Sequence, residues 1–158
     1  NSLSLVTIPR KIKDISLSPD GKKILLLHEN PGVFQEDSAI KQEFNTIFLV
    51  SFINLDNLKL VPLILPKAVA AYVFSENSGY LYLQCEDFEK VIYMDLKTFL
   101  SEDVKLSSKV SKIATLPENK GVLISQLHEQ GRVSFFDPAF PKDVKTITGY
   151  RINEDPEN

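Results

Sequence analysis

Short apolar runs rich in aromatic and β-branched residues, such as Tyr80-Leu81-Tyr82-Leu83 and Val91-Ile92-Tyr93-Met94, alternate along the chain with clusters of Ser, Pro, Asp, Asn and Gly. Runs of this length with period-two patterning predict strands joined by tight turns. Only Ser38 to Phe44 could hold a helical turn. The pattern therefore predicts an all-β protein.

The pattern also repeats. "ISLSPDGKKILLLHE" (15–29), "YVFSENSGYLYLQCED" (72–87) and "IATLPENKGVLISQLHE" (113–129) each contain an apolar segment, a polar turn, a glycine and a second apolar segment. Gly79 and Gly121 are 42 residues apart; Gly21 and Gly79 are 58 apart, with the excess in the polar stretch 30–44. "TIFLVSFINLDN", "KVIYMDLKTF" and "RVSFFDPAFP" follow, placing Asn54, Asp95 and Asp137 at spacings of 41 and 42. A fourth segment closes each unit: "LKLVPLILPK", "DVKLSSK" and "DVKTITGYRI". The opening "LSLVTIPRK" (3–11) matches the first of these. The expectation is a lone outer strand over 1–11, then three four-stranded units over 12–67, 68–109 and 110–152, with an insertion at 30–44 and a frayed tail at 153–158.

Four short strands every 40 to 45 residues are the signature of a β-propeller blade. "LSPDGKKILL" resembles the first hairpin of bacterial YVTN-type and WD-repeat-like propellers, and "VIYMDLKT" and "VSFFDP" resemble their third strand. The resemblance covers nearly the whole chain. It departs in having no Trp and in carrying Asn54 where the other units have Asp. It implies a propeller fold. It also implies that Asp95 and Asp137 pin their turns by accepting backbone hydrogen bonds, as Asn54 can in part.

Three blades are fewer than a closed propeller needs. The chain could be part of a six- to eight-bladed ring, could be completed by another copy of itself, or could form an open fan. The lone outer strand favours the first. On either of the first two readings the missing blades come from the same parent chain or from another copy.

Charge and composition narrow the partners. Net charge is −3, and no basic stripe that would track phosphates is present, which argues against nucleic acid. The longest apolar runs are far shorter than the roughly 20 residues of a transmembrane helix. A single cysteine, Cys85, excludes an intrachain disulfide and fits either a cytoplasmic or a disulfide-poor exported protein. The bacterial-type repeats lean toward the periplasm or cell envelope.

Aligned on the repeat glycines, His28-Glu29, Glu86-Asp87 and His128-Glu129 each end a second strand. In the resembled family that strand leads to a face that commonly binds ligands. These residues, with Arg132 on the "HEQGR" hairpin and Phe34 on the insertion, form an expected polar binding rim. The alternative is a set of solvated hairpin ends. The two histidines have no tight metal-ligand spacing, and Ser125 and His128, three apart on one strand, point to opposite faces, so no triad forms with Asp137. No catalytic group, metal or cofactor is expected. Asp20-Gly21, Asn77-Ser78-Gly79 and Asn119-Lys120-Gly121 read as hairpin turns in which glycine supplies positive φ. "PDGKK" lacks the second glycine and the GK[ST] ending of a phosphate loop. Cys85, on a central strand, reads as a small inert side chain.

The expected function is non-catalytic: a scaffold presenting a propeller face to a protein or peptide. The rival is part of a lactonase-like hydrolase or quinoprotein-like oxidoreductase whose site other blades complete.

Overall fold

Among the described residues, twelve strands form three separate four-stranded antiparallel sheets. They are seen in a computed structural model that describes residues 5, 8, 10–30 and 48–149. The segment 3–11 is described only at Leu5, Ile8, Arg10 and Lys11, none of which is in a strand. Phe34, Phe44, the 38–44 turn, all but the first residue of the insertion 30–44, and the tail 153–158 lie outside the described residues.

The first sheet contains β1 (Ile12–Leu17), β2 (Lys23–His28), β3 (Phe48–Asn54) and β4 (Lys59–Leu65), in that order. The second contains β5 (Val69–Phe74), β6 (Tyr80–Cys85), β7 (Lys90–Asp95) and β8 (Ser101–Lys105). The third contains β9 (Val110–Thr115), β10 (Val122–Gln126), β11 (Arg132–Phe136) and β12 (Lys145–Thr148). Each sheet is a meander of consecutive strands. Consecutive strands pair, and apart from β2 and β3, which residues 29–47 separate, each pair is joined by a short segment, so closing those hairpins costs little chain entropy. The chain divides into two compact units, one ending at Val69 and one beginning at Ala70.

Central strands are buried on both faces and outer strands on few positions, which explains their composition. β3 and β7 are nearly continuous apolar runs, whereas β8 (SEDVK) is exposed except at Val104 and β12 (KTIT) is exposed throughout. Pro62, which cannot donate to a ladder, lies on β4 at the edge of its sheet, opposite Ser51. In the second unit one core joins two sheets: Tyr82, Val91, Tyr93 and Val104 pack with Val110, Ile113, Val122, Ile124 and Phe136. Its aromatic centre is Phe136, whose ring lies 5.6 Å from that of Tyr93 and 6.3 Å from that of Tyr82.

The turns show why particular polar residues stand where they do. In the first sheet the Ser18 hydroxyl donates to Asp20 Oδ1 (2.6 Å) and accepts from Lys23 N–H (3.0 Å). In the second the Ser75 hydroxyl donates to Asn77 Oδ1 (2.9 Å) and accepts from Tyr80 N–H (2.9 Å). The Ser18 hydrogen bond holds the Asp20 carboxyl below its usual pKa. The same backbone bond closes all three turns: Ser18 N–H to Lys23 O, Ser75 N–H to Tyr80 O and Leu116 N–H to Gly121 O. This sets the true register of the repeat. Lys23, Tyr80 and Gly121 are counterparts, and Gly21 corresponds to Ser78 rather than to Gly79. Positive φ falls on Gly21 (71°) and Ser78 (58°), while Gly79 is not among the positive-φ positions. The expectation that Gly79 supplies the left-handed residue is therefore corrected. In the third turn that conformation is taken by Glu118 and Asn119 (both 56°), and Gly121 has φ 112°.

The third-strand turns share a second device. Asn54, Asp95 and Asp137 each accept, through Oδ1, the backbone N–H two residues on, from Asp56 (2.9 Å), Lys97 (2.8 Å) and Ala139 (2.9 Å). Asp95 takes a second bond from Thr98 N–H at 3.3 Å. Asp95→Ala is expected to cost about 1 kcal/mol, the usual net worth of such bonds, measured as a shift in the urea midpoint without a change of slope.

Candidate functional site

The register fixes which side chains are equivalent at the end where β2, β6 and β10 finish. His28, Cys85 and Gln126 occupy one position, and all three are buried. His28 is thus not on the solvent-facing rim where glycine alignment puts it. Its Nδ1 faces the Arg10 carbonyl (3.1 Å) and its Nε2 faces the Ser51 hydroxyl (2.7 Å). A carbonyl can only accept, so Nδ1 carries the proton and Nε2 accepts from Ser51. Burial holds the imidazole below its usual pKa; bonds to the Arg10 and Lys11 backbone oppose this, and the Arg10 charge adds to it. His28 borders a recess with Lys13, Asn30 and Phe48 that has room for about one water molecule.

Gln126 repeats this arrangement with different chemistry. Its Nε2 donates to Ser134 Oγ (2.5 Å), and its Oε1 accepts from Ser108 N–H (3.1 Å) and Ser108 Oγ (3.3 Å). Ser134 and Ser51 hold the same place on their third strands, opposite Ile124 and Leu26. In the second sheet the corresponding residues are Cys85 and Ile92, both buried. These groups are structural: they tie a second strand to a third.

The exposed polar groups lie just beyond. In the second unit, the connection from β8 to β9 runs from the β6–β7 hairpin to the β10–β11 hairpin. Leu106 N–H donates to Glu89 O and Val110 N–H to Phe88 O, while Leu127 N–H donates to Lys109 O. Both hairpins therefore share one end with this connection. Glu86 and Asp87 are exposed on the first, and Asp87, at φ 49°, pairs with Lys109. His128 and Glu129 are exposed on the second. His128 lies outside β10, where it shapes the turn: its Nδ1 accepts from Gln130 N–H (3.2 Å) and its carbonyl from Gly131 N–H (3.0 Å). Arg132 is half-buried and cross-links the site, donating to Thr148 Oγ1 (3.0 Å) and Ser108 Oγ (3.2 Å). Glu29, in the first unit, is exposed and donates its N–H to Lys11 O.

The structure thus groups Glu86, Asp87, Lys109, Ser108, Arg132, His128 and Glu129 at one end of the second unit. Sequence reasoning missed Ser108, Lys109 and the buried Ser51, Gln126 and Ser134. The signal was in "SLSPDGKK" and "VFSENSGY": aligning Ser18 with Ser75, rather than the glycines, sets His28 against Cys85 and Gln126. No group of three or more His, Cys, Asp or Glu is placed to share a metal ion among the described residues.

Three sheets of this form, each a meander of four antiparallel strands, match solved structures over most of the chain. The chain is similar to the β-propeller domain of the trilobed protease from Pyrococcus furiosus, described as having an open velcro topology (TM-score 0.59, 13% identity, 90% of this chain and 44% of that one). The fold is a β-propeller fold. The propeller domain of Cps50 (Swd1) from Myceliophteria thermophila matches 92% of this chain and 41% of its own, with TM-score 0.57 and 13% identity. The structure of U3-55K matches 93% and 42%, with TM-score 0.58 and 12% identity. The chain therefore spans less than half the length of these three chains. No family model and no curated protein matches it. Among the described residues, no helix is long and apolar enough to cross a membrane.

Proposed function

We propose that this propeller chain is a non-catalytic binding module, and that the acidic hairpin end of its second unit receives a basic segment of a protein or peptide. One observation carries the reading. Glu86 and Glu129 stand exposed on short hairpins that share one end, with Asp87 beside Glu86 paired to Lys109, while behind them Gln126 bonds to both Ser134 and Ser108. A rigid frame with carboxylates at its mouth favours lysine- and arginine-bearing ligands, through contacts that set specificity and association rate. The bacterial YVTN-type and WD-like assignment, carried by "LSPDGKKILL" and "VIYMDLKT", belongs to the same proposal.

Peptide display against the 158-residue chain tests it. Selected peptides are expected to be rich in Lys and Arg, and their affinity to fall with added salt. Glu86→Lys combined with Glu129→Lys is expected to weaken them by about tenfold or more in fluorescence anisotropy. Selection without basic bias, or affinity indifferent to both substitutions, would overturn the reading.

A further inference from the structure

The counterpart register exposes a mismatch between equivalent surfaces. On the second sheet, Tyr82, Val91, Tyr93 and Val104 form the face buried against the third sheet, at 1%, 0%, 6% and 6% exposure. Their counterparts on the third sheet, by strand register, are Leu123, Val133, Phe135 and Ile147. These are also apolar, yet Leu123 is 37% and Ile147 50% exposed, and Val133 and Phe135 are only half-buried. The third sheet therefore presents an uncovered copy of a face that the second sheet buries.

The complementary surface is also on this chain. What covers the second sheet is the opposite face of the third, including Val110 and Ile113 on its first strand, each 6% exposed. Their counterparts on the first sheet are Ile12 and Ile15. β1 pairs with β2, and β9 with β10, with the same irregularity at the same place, between Ile12 and Asp14 and beside Val110. Ile12 is 41% exposed, Ile15 61% and the neighbouring Leu17 55%. Apolar residues at positions buried in one sheet and exposed in its equivalent mark an unfilled contact.

From this we infer that a second copy of the chain docks head to tail, its β1 residues Ile12, Ile15 and Leu17 seating on Leu123, Phe135 and Ile147 of the first. The contact repeats the one the second and third sheets make inside the second unit. It does not rest on the acidic hairpins of the proposed function. Such a heterologous contact either closes into a ring or runs on as a filament.

The test uses two variants of the 158-residue chain and their mixture. Ile15→Lys with Leu17→Lys removes the β1 side; Leu123→Lys with Ile147→Lys removes the other, and the two altered faces repel each other. By sedimentation, the unmodified chain is expected to associate with rising concentration, at masses that are multiples of 17.8 kDa. Each variant alone should be a single chain. Mixed in equal amounts they should form a two-chain particle and nothing larger, because only one intact face of each kind remains. All four positions are exposed, so the folds should survive, which circular dichroism checks; Ile15→Gln and Leu123→Gln form a gentler pair if either fails. An unmodified chain that stays single over about two orders of magnitude in concentration overturns the inference. So does a mixture that forms no two-chain particle.

Discussion

Gly121→Ala is expected to destabilise the second unit by about 3 kcal/mol or more, the largest loss expected among Gly21, Gly79, Gly121 and Gly149. Two independent costs add. Gly121 has φ 112°, a conformation that side-chain-bearing residues rarely adopt. A Cβ there would also lie 2.0 Å from the Phe136 carbonyl oxygen and 2.9 Å from Asp137 Cα. Both are backbone atoms, so no rotamer change relieves the clash. The third strand of its sheet must move, and it carries Phe136, the residue at the centre of the aromatic core. Gly21→Ala is the control. Gly21 has φ 71° but open space around its Cβ position, so only the conformational cost of about 1–2 kcal/mol remains. Urea denaturation of both variants measures the difference. Equal losses would show that the Phe136 contact does not matter.

The second large effect is at His28. Removing the imidazole with His28→Ala takes away its hydrogen bonds to the buried Ser51 hydroxyl and to the Arg10 carbonyl and opens a void. The expected cost is about 2–3 kcal/mol. His28→Gln should cost under about 1 kcal/mol, because Gln126 already fills the equivalent place with a Ser134 bond. The pair also separates packing from titration. Burial depresses the folded pKa of His28 below the ordinary value of 6.5, so the unfolded chain binds its proton more readily. The stability His28 contributes is therefore full above 6.5 and declines as pH falls through the folded value. Unfolding measured from about pH 7.5 down to about pH 5 should show this decline in the unmodified chain and a shallower one in His28→Gln. Parallel curves would mean that His28 does not lose its proton affinity on folding.

Sequence and structure agree most where the signal is repeated and local. The apolar runs that became β6 and β7, the third-strand acids at Asp95 and Asp137 and the spacing near 42 residues all follow from period-two burial and turn chemistry, which leave direct traces in the residue order. The site was less legible for an identifiable reason. Glycine is a natural anchor for a turn, but Ser78 adopts the left-handed conformation in the second sheet and Glu118 and Asn119 do so in the third. Against Gly21, Gly79 is therefore displaced by one residue relative to the strands and Gly121 by two. Glycine alignment thus sets His28 against Glu86 and His128, one and two residues beyond its true counterparts Cys85 and Gln126, and so places a buried histidine on an expected rim. The partners of His28 and Gln126 could not be read from spacing at all: Ser51 and Ser134 are supplied by register across a hairpin, and Arg10 and Ser108 by the chain entering the sheet.

Pro62 has a consequence for how this protein fails. Fibril formation by strand addition needs a free ladder edge, and the outer strands β4 and β8 offer poor templates. β4 carries a proline, which interrupts the row of donors. β8 places Glu102, Asp103 and Lys105 along its length, with Asp103 held to Lys90 at 2.8 Å. Conditions that drive this chain out of solution while it stays folded should therefore yield assemblies with native infrared amide bands, which do not seed thioflavin-positive fibres.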